Sequence, residues 1–172
     1  EEKIETQNVK LIFLASPGNP HGIMFPKEDV NALTDMCQQK KCFLVFYSVY
    51  RTLYYENKPY VPLSKLNPYL FVVDGFSKWF SITGWRVGFL MHDESHCAAL
   101  RSMHDYTALC TNSVFQEALS RYVSKNDFGK QYSENLRKSL AGNYLFASEK
   151  INEMGFGCKK SDGGYFIWAE LP

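Results

Sequence analysis

The sequence predicts an α/β protein, a mostly parallel sheet flanked by helices. Three observations predict it. Short apolar runs without polar alternation recur at residues 11–15, 42–46 and 70–74, as expected of strands buried on both faces. A segment with helical spacing separates the first two, the right length for a βαβ crossover. The 172 residues are 45% hydrophobic and 16% aromatic, enough for a sizeable core, while the 22% charged fraction is that of an ordinary globular domain.

The elements follow in order. The first strand ends in Ser16-Pro17-Gly18-Asn19-Pro20-His21-Gly22, which is too rich in turn formers to be anything but a loop. Pro26 suits the first position of a helix, with Glu28 and Asp29 in the first turn where the helix dipole favours them. Val30, Leu33 and Cys37 share a face of that helix, and Lys40 and Lys41 close it. Strands at 42–46 and 70–74 flank a long connection containing Tyr50, Arg51, Pro59 and Pro62. A fourth strand, 86–91, is the expected antiparallel member. Helices are predicted at about 93–106, 112–123 and 128–154. In the last of these, Phe128, Tyr132, Leu136, Leu140, Tyr144, Ala147, Ile151 and Met154 advance by three or four, and Gly155 stops the helix. Residues 164–171 read as a strand with no partner in view.

Composition excludes several classes. Nineteen basic against eighteen acidic residues give a net charge of +1, with no pull toward nucleic acid or anionic lipid. No apolar run approaches the roughly 18 residues that span a bilayer, so no membrane partner is expected. There is no glycine-rich nucleotide fingerprint, Ser-His-Asp elbow or RNA-binding aromatic motif. Cys37, Cys42, Cys97, Cys110 and Cys158 are odd in number and scattered, which predicts reduced, mostly buried thiols in a cytoplasmic protein. The charged start, Glu1 to Glu5, is not a signal peptide, and without an initiator Met the chain is expected to be processed or trimmed. His92 and His96 stand four apart but lack the Glu a zinc helix places after its first His. No metal site is expected, and Asp93 or Ser95 reads as a helix N-cap.

The chemistry concentrates in residues 76–89. Lys78 follows a buried strand and is flanked by Phe76, Trp79 and Phe80, which would strip water from its amine and favour a nucleophile. Arg86, reached through a turn at Gly84, could offer its guanidinium fork to a phosphate. An amine for an aldehyde and an arginine for a phosphate match the needs of pyridoxal phosphate. The same two residues read equally well as a surface lysine at a strand end and an arginine paired with a helical carboxylate.

The run F-S-K-W-F-S-I-T-G-W-R-V-G-F resembles the cofactor-lysine signature of class I/II aminotransferases, fold-type I pyridoxal-phosphate enzymes. Asn19-Pro20-His21-Gly22 resembles that family's N-P-x-G loop, and Val49-Tyr50-Arg51 resembles the end of its D-E-x-Y segment. Gly163-Gly164-Tyr165-Phe166 is similar to the stretch leading into its small domain. The resemblance implies that Lys78 carries the cofactor and shuttles a proton. It also implies that Asn19 and Tyr50 hydrogen-bond the cofactor's phenolic oxygen, and that Arg86, assisted by Ser77, binds its phosphate. It implies residues 1–127 as part of the cofactor-binding large domain, and 128–172 as a long linking helix with the start of a small α+β domain. A homodimer, and amino acid and 2-oxo acid substrates, are implied as well.

The departures are specific. Tyr47 stands where the family has the aspartate that faces the pyridine nitrogen, Ser48 replaces the usual Glu, and Gly75 replaces a serine three before the lysine. Period-two alternation places Asp74 on the Lys78 side of its strand, where it could compensate. The family's glycine-rich phosphate loop, its ring-stacking aromatic and its substrate-carboxylate arginine are expected before Glu1 and after Pro172, so the length argues for a fragment. The functional expectation is an aminotransferase moving an amino group between an amino acid and a 2-oxo acid. The alternatives are a catalytically degenerate homologue acting by binding or assembly, and a lyase or decarboxylase of the same fold.

Overall fold

Four strands form one sheet in the order β1-β2-β3-β4 in the computed structural model, which describes residue 4 and residues 6–172. The charged stretch at the N-terminus lies, Ile4 apart, outside the described residues. Strands β1 (Leu11–Ala15), β2 (Phe43–Tyr47) and β3 (Leu70–Gly75) pair in parallel, Leu11 opposite Phe43 and Leu44 opposite Leu70. Strand β4 (Gly88–Met91) pairs antiparallel with β3, as expected, but begins two residues later because Arg86 turns through the left-handed region.

Helix α1 (Lys27–Gln39) crosses from β1 to β2. Pro26 is its N-cap and Lys40 its C-cap. It buries Val30, Thr34 and Cys37 against Leu44, Phe46, Leu70 and Val72 on one face of the sheet. Each such Leu or Phe contributes about 1.5–3 kcal/mol. The other face of β1 departs from the expectation of two buried faces: Leu11 and Phe13 are 53% and 61% exposed. An unbroken apolar run cannot reveal how much of each face of its strand is covered by what packs on the sheet.

Beyond β3 the chain makes a four-residue helix α2 (Phe76–Trp79), a 3₁₀ turn at Thr83–Trp85, and then β4. Helices α3 (Cys97–Thr107) and α4 (Ser113–Lys125) follow, with Asn112 capping α4 by accepting from the Val114 and Phe115 amides. Asp93 accepts from the Ser95 amide and caps the short turn ahead of α3, as expected. A second core joins the α2 region to α4: Phe80, Val87 and Leu119 are buried, and Trp85 stacks on Phe115 at 4.8 Å.

Helix α5 (Lys130–Glu153) is shorter at its start than its periodicity suggests. Phe128 takes φ 51° and stands outside it, so the apolar spacing runs past the true N-terminus. Gly155, at φ +91°, ends it as expected. The last strand is also corrected. Only Ala169–Glu170 is extended, as β6, and it has a partner in β5 (Gly157–Cys158), a two-residue strand too short to leave a pattern.

The cysteines are free, but only Cys37 and Cys42 are buried; Cys97 and Cys110 are exposed. "Mostly buried" therefore fails: Cys97 opens α3, Cys110 lies in the loop between α3 and α4, and Cys158 is half-buried in β5. His92 and His96 bond to the Asp93 and Pro68 carbonyls at 2.7 Å and pack against Phe71. No metal-binding group of His, Cys, Asp or Glu occurs among the described residues.

Candidate functional site

At the carboxyl ends of β2 and β3, where open α/β sheets bind ligands, lies a cleft of about 360 Å³. Tyr47, Tyr50, Gly75, Ser77, Lys78, Thr83 and Arg86 line it. Of the residues predicted for the site, only Asn19 is not part of this wall. It is tied to it instead, donating from Nδ2 to the Tyr50 hydroxyl at 2.9 Å.

Each side chain has a local cause for its place. Tyr50 is buried (6% exposed) in the turn after β2. The loop bearing Asn19 is fixed by Gly18 N–H donating to the Ile23 carbonyl at 3.0 Å and Gly22 N–H donating to the Gly18 carbonyl at 2.8 Å. Gly22 sits at φ +69°, and a Cβ there would meet Ser161 Oγ at 2.0 Å, so only glycine fits. Lys78 stands half-buried on α2, whose start is pinned by Phe76 N–H donating to the Val87 carbonyl at 3.1 Å. Ser77 is half-buried beside it. Arg86 is exposed and takes φ 55°, with Nη1 donating to the Thr83 carbonyl at 3.2 Å. A non-glycine residue in this region carries strain on the order of 1–3 kcal/mol, which here aims the guanidinium into the cleft.

The two departures at the strand ends have physical consequences. Tyr47 closes β2 on the cleft face. Burial raises its pKa above the ordinary phenol value, Tyr50 and Asp74 add to the rise and Arg86 opposes it. It is therefore a neutral O–H at neutral pH. Gly75 faces Gly88 across the β3–β4 pair, and a Cβ at 75 would stand 3.2 Å from the Gly88 Cα. The missing serine hydroxyl goes with a close backbone approach that a side chain would crowd. Ser48, in the usual Glu position, is fully buried and donates to the Val73 carbonyl at 3.1 Å.

Asp74 is corrected. It points to the α1 side of the sheet with Leu70 and Val72, where it is 4% exposed. Counting by two toward Lys78 fails because extended backbone stops at Gly75 and α2 begins at Phe76. The Asp74 carboxylate accepts from Arg51 Nε and from Gly75 N–H, the latter at 2.6 Å. Burial raises its pKa, and the Arg51 contact holds that rise back. Arg51 in turn lies 4.9 Å over Trp79. The cleft wall thus carries two cationic side chains and no carboxylate.

One site residue was missed. Tyr165 brings its ring to 5.8 Å from the Lys78 Nζ, against 5.9 Å for Tyr50. Its only sequence signal was membership in the Gly163-Gly164-Tyr165-Phe166 run.

The donor set suits pyridoxal phosphate except at one point. Lys78 supplies an amine, Arg86 a guanidinium for a phosphate, and the Asn19–Tyr50 pair donors for a phenolate oxygen. Tyr47 can hydrogen-bond a ring nitrogen but lends it no negative charge.

Comparison with known proteins agrees with the geometry. The chain is 27% identical over 168 residues to an aspartate aminotransferase of Bacillus subtilis, covering 95% of this chain and 42% of that protein. To the aspartate aminotransferase of Thermotoga maritima it is 25% identical, covering 94% of this chain and again 42% of the relative. It therefore spans about two fifths of the length of these relatives. Its fold overlays a mutant aspartate aminotransferase of Thermus thermophilus with a TM-score of 0.86, over 93% of this chain and 42% of that one, at 23% identity. The model of the aminotransferase class I and II family matches residues 1–172, so the lysine cleft, the N-P-x-G loop and the sheet that carries them are those of a member of that family.

Proposed function

We propose that the protein to which this chain belongs is a pyridoxal-phosphate-dependent aminotransferase, moving an amino group between an amino acid and a 2-oxo acid. The observation that carries the reading is one cleft that gathers the Lys78 amine, the Arg86 guanidinium and the Tyr50 hydroxyl, the last hydrogen-bonded by Asn19 from behind the wall. The names of the relatives favour transamination over a lyase, a decarboxylase or a binding role. When bound, the cofactor supplies an electrophilic aldehyde and a ring that delocalises the electrons left at the substrate carbon.

The chain's own residues divide the remaining work. Lys78 Nζ holds the cofactor and takes, then returns, the proton of the substrate α-carbon. Arg86 anchors the phosphate through charge-assisted hydrogen bonds, with the Ser77 hydroxyl beside it. Tyr50, oriented by Asn19, donates toward the phenolic oxygen. Residues 1–127 are taken as part of the cofactor-binding domain and 128–172 as the linking helix and first strands of a second. The resemblance further supports a homodimer, and the reduced thiols a cytoplasmic location. No helix among the described residues is long and apolar enough to cross a membrane.

The test uses the full-length protein with pyridoxal phosphate, a panel of amino acids, and 2-oxoglutarate as acceptor. Acceptor-dependent appearance of glutamate, abolished by Lys78→Ala, is expected. Ammonia or carbon dioxide release without an acceptor would instead give the lyase or decarboxylase reading, and no lysine-dependent turnover would leave only a binding role.

A further inference from the structure

Lys78 Nζ stands between two phenol rings, 5.9 Å from the centroid of Tyr50 and 5.8 Å from that of Tyr165. Both distances are within the roughly 6 Å over which a ring face attracts a cation. Tyr50 comes from the turn after β2, Tyr165 from the far end of the chain. Nothing local puts Tyr165 there; a network of backbone and side-chain hydrogen bonds does.

Asp162 N–H donates to the Gly22 carbonyl at 3.1 Å, and its Oδ2 accepts from Met24 N–H at 3.0 Å. Gly164 N–H donates to the Leu53 carbonyl at 2.7 Å, and the Tyr55 hydroxyl donates to the Gly164 carbonyl at 3.1 Å. A Cβ on Gly163 would fall 2.3 Å from the Leu53 carbonyl, so the segment lies flush against the 51–55 loop. Gly164, at φ +97°, then turns the chain so that residue 165 faces back toward α2. The segment 161–165 is therefore bonded both to the loop carrying Asn19 and to the loop that follows Tyr50. The Tyr165 hydroxyl interacts with Ser81, and partial burial keeps the phenol neutral, its pKa raised. Its contact with the lysine is one of ring face and cation.

We propose that Tyr165 is a positioning residue for Lys78: its ring and that of Tyr50 clamp the ammonium between them. The final segment of the chain thereby sets where the lysine nitrogen stands relative to the Asn19–Tyr50 pair. The catalytic consequence rests on the assignment of Lys78 to the cofactor; the clamp itself does not.

The experiment uses cofactor-free full-length protein, its lysines reductively methylated with ¹³C and the Lys78 signal assigned by its loss in Lys78→Arg. The signal is expected upfield of the exposed lysines, shielded by two ring faces. Tyr165→Phe keeps the ring and should leave it in place, while Tyr165→Leu should move it about halfway toward the exposed position. Modification of Lys78 by trinitrobenzenesulfonate should quicken about two- to fivefold in Tyr165→Leu, matching the loss of one cation–ring contact. Tyr165 is 40% exposed, so the Leu variant keeps the fold, which unchanged signals from the other lysines verify. An unmoved Lys78 signal in Tyr165→Leu, or a Phe variant shifting as far as Leu, overturns the clamp. A signal that responds to Tyr165 in a protein taking up no pyridoxal phosphate upholds the clamp and removes the cofactor reading instead.

Discussion

Replacing Arg51 with alanine strands the Asp74 carboxylate. The Asp74 side chain is 2% exposed and that of Arg51 27%, so the variant leaves a buried anion held mainly by the Gly75 amide. Removing one partner of a buried pair costs about 3–5 kcal/mol, and water entering from the partly open Arg51 side favours the lower end. Loss of the Arg51–Trp79 contact at 4.9 Å adds about 0.5–1 kcal/mol. The deficit should also depend on pH. Burial already raises the native Asp74 pKa above its unfolded value, and Arg51 is what holds it down, so the variant's pKa climbs further. A carboxyl with a raised native pKa costs nothing while protonated in both states. The penalty opens as pH rises through the unfolded value of about 3.9 and is complete above the native one. Urea denaturation of the full-length protein at about pH 4 and about pH 7.5 should show a deficit near 3–4 kcal/mol at the higher pH that shrinks at the lower. Arg51→Ala combined with Asp74→Asn should recover most of it. A deficit under about 1 kcal/mol, equal deficits at both pH values, or no relief from the asparagine would show that Arg51 does not hold the Asp74 charge in place.

Tyr47→Asp should raise the transamination rate of the full-length protein by about tenfold or more, since a carboxylate stabilises a protonated ring nitrogen that a neutral phenol cannot. An unchanged or lower rate would place Tyr47 away from that nitrogen. Gly163→Ala should destabilise by about 1–3 kcal/mol in thermal unfolding, because its methyl would meet the Leu53 carbonyl at 2.3 Å; a neutral effect would contradict the close packing of that segment. Cys37 and Cys42 should resist iodoacetamide until the protein unfolds. Both are fully buried, and burial with the neighbouring Cys42 pushes the Cys37 thiol up to about 11. Mass spectrometry showing either labelled in native protein would contradict this.

The layer order was legible in the sequence because apolar runs and turn formers are local signals. Leu44, Phe46, Leu70 and Val72 lie where those runs place them, and Pro26 marks the start of α1. What escaped depended on distant partners. The exposure of Leu11 and Phe13 depends on what packs on that face of the sheet, and the β5 partner of β6 is two residues long. Whether Lys78 shares the side of Asp74 is set by where extended backbone ends, which composition around Gly75 does not mark. The site divides in the same way. Lys78, Arg86, Asn19 and Tyr50 announce themselves through motifs, whereas the segment bearing Tyr165 is held beside the lysine by bonds to Gly22, Leu53 and Tyr55, more than a hundred positions upstream.

The central claim is that Lys78 is the residue that holds pyridoxal phosphate. Incubating the full-length protein with pyridoxal phosphate, reducing with borohydride and mapping peptides by mass spectrometry tests it most directly. One stoichiometric pyridoxyl adduct is expected, on Lys78, lost in Lys78→Ala without transfer to another lysine. An adduct on a different lysine, or substoichiometric labelling scattered over several, would contradict it.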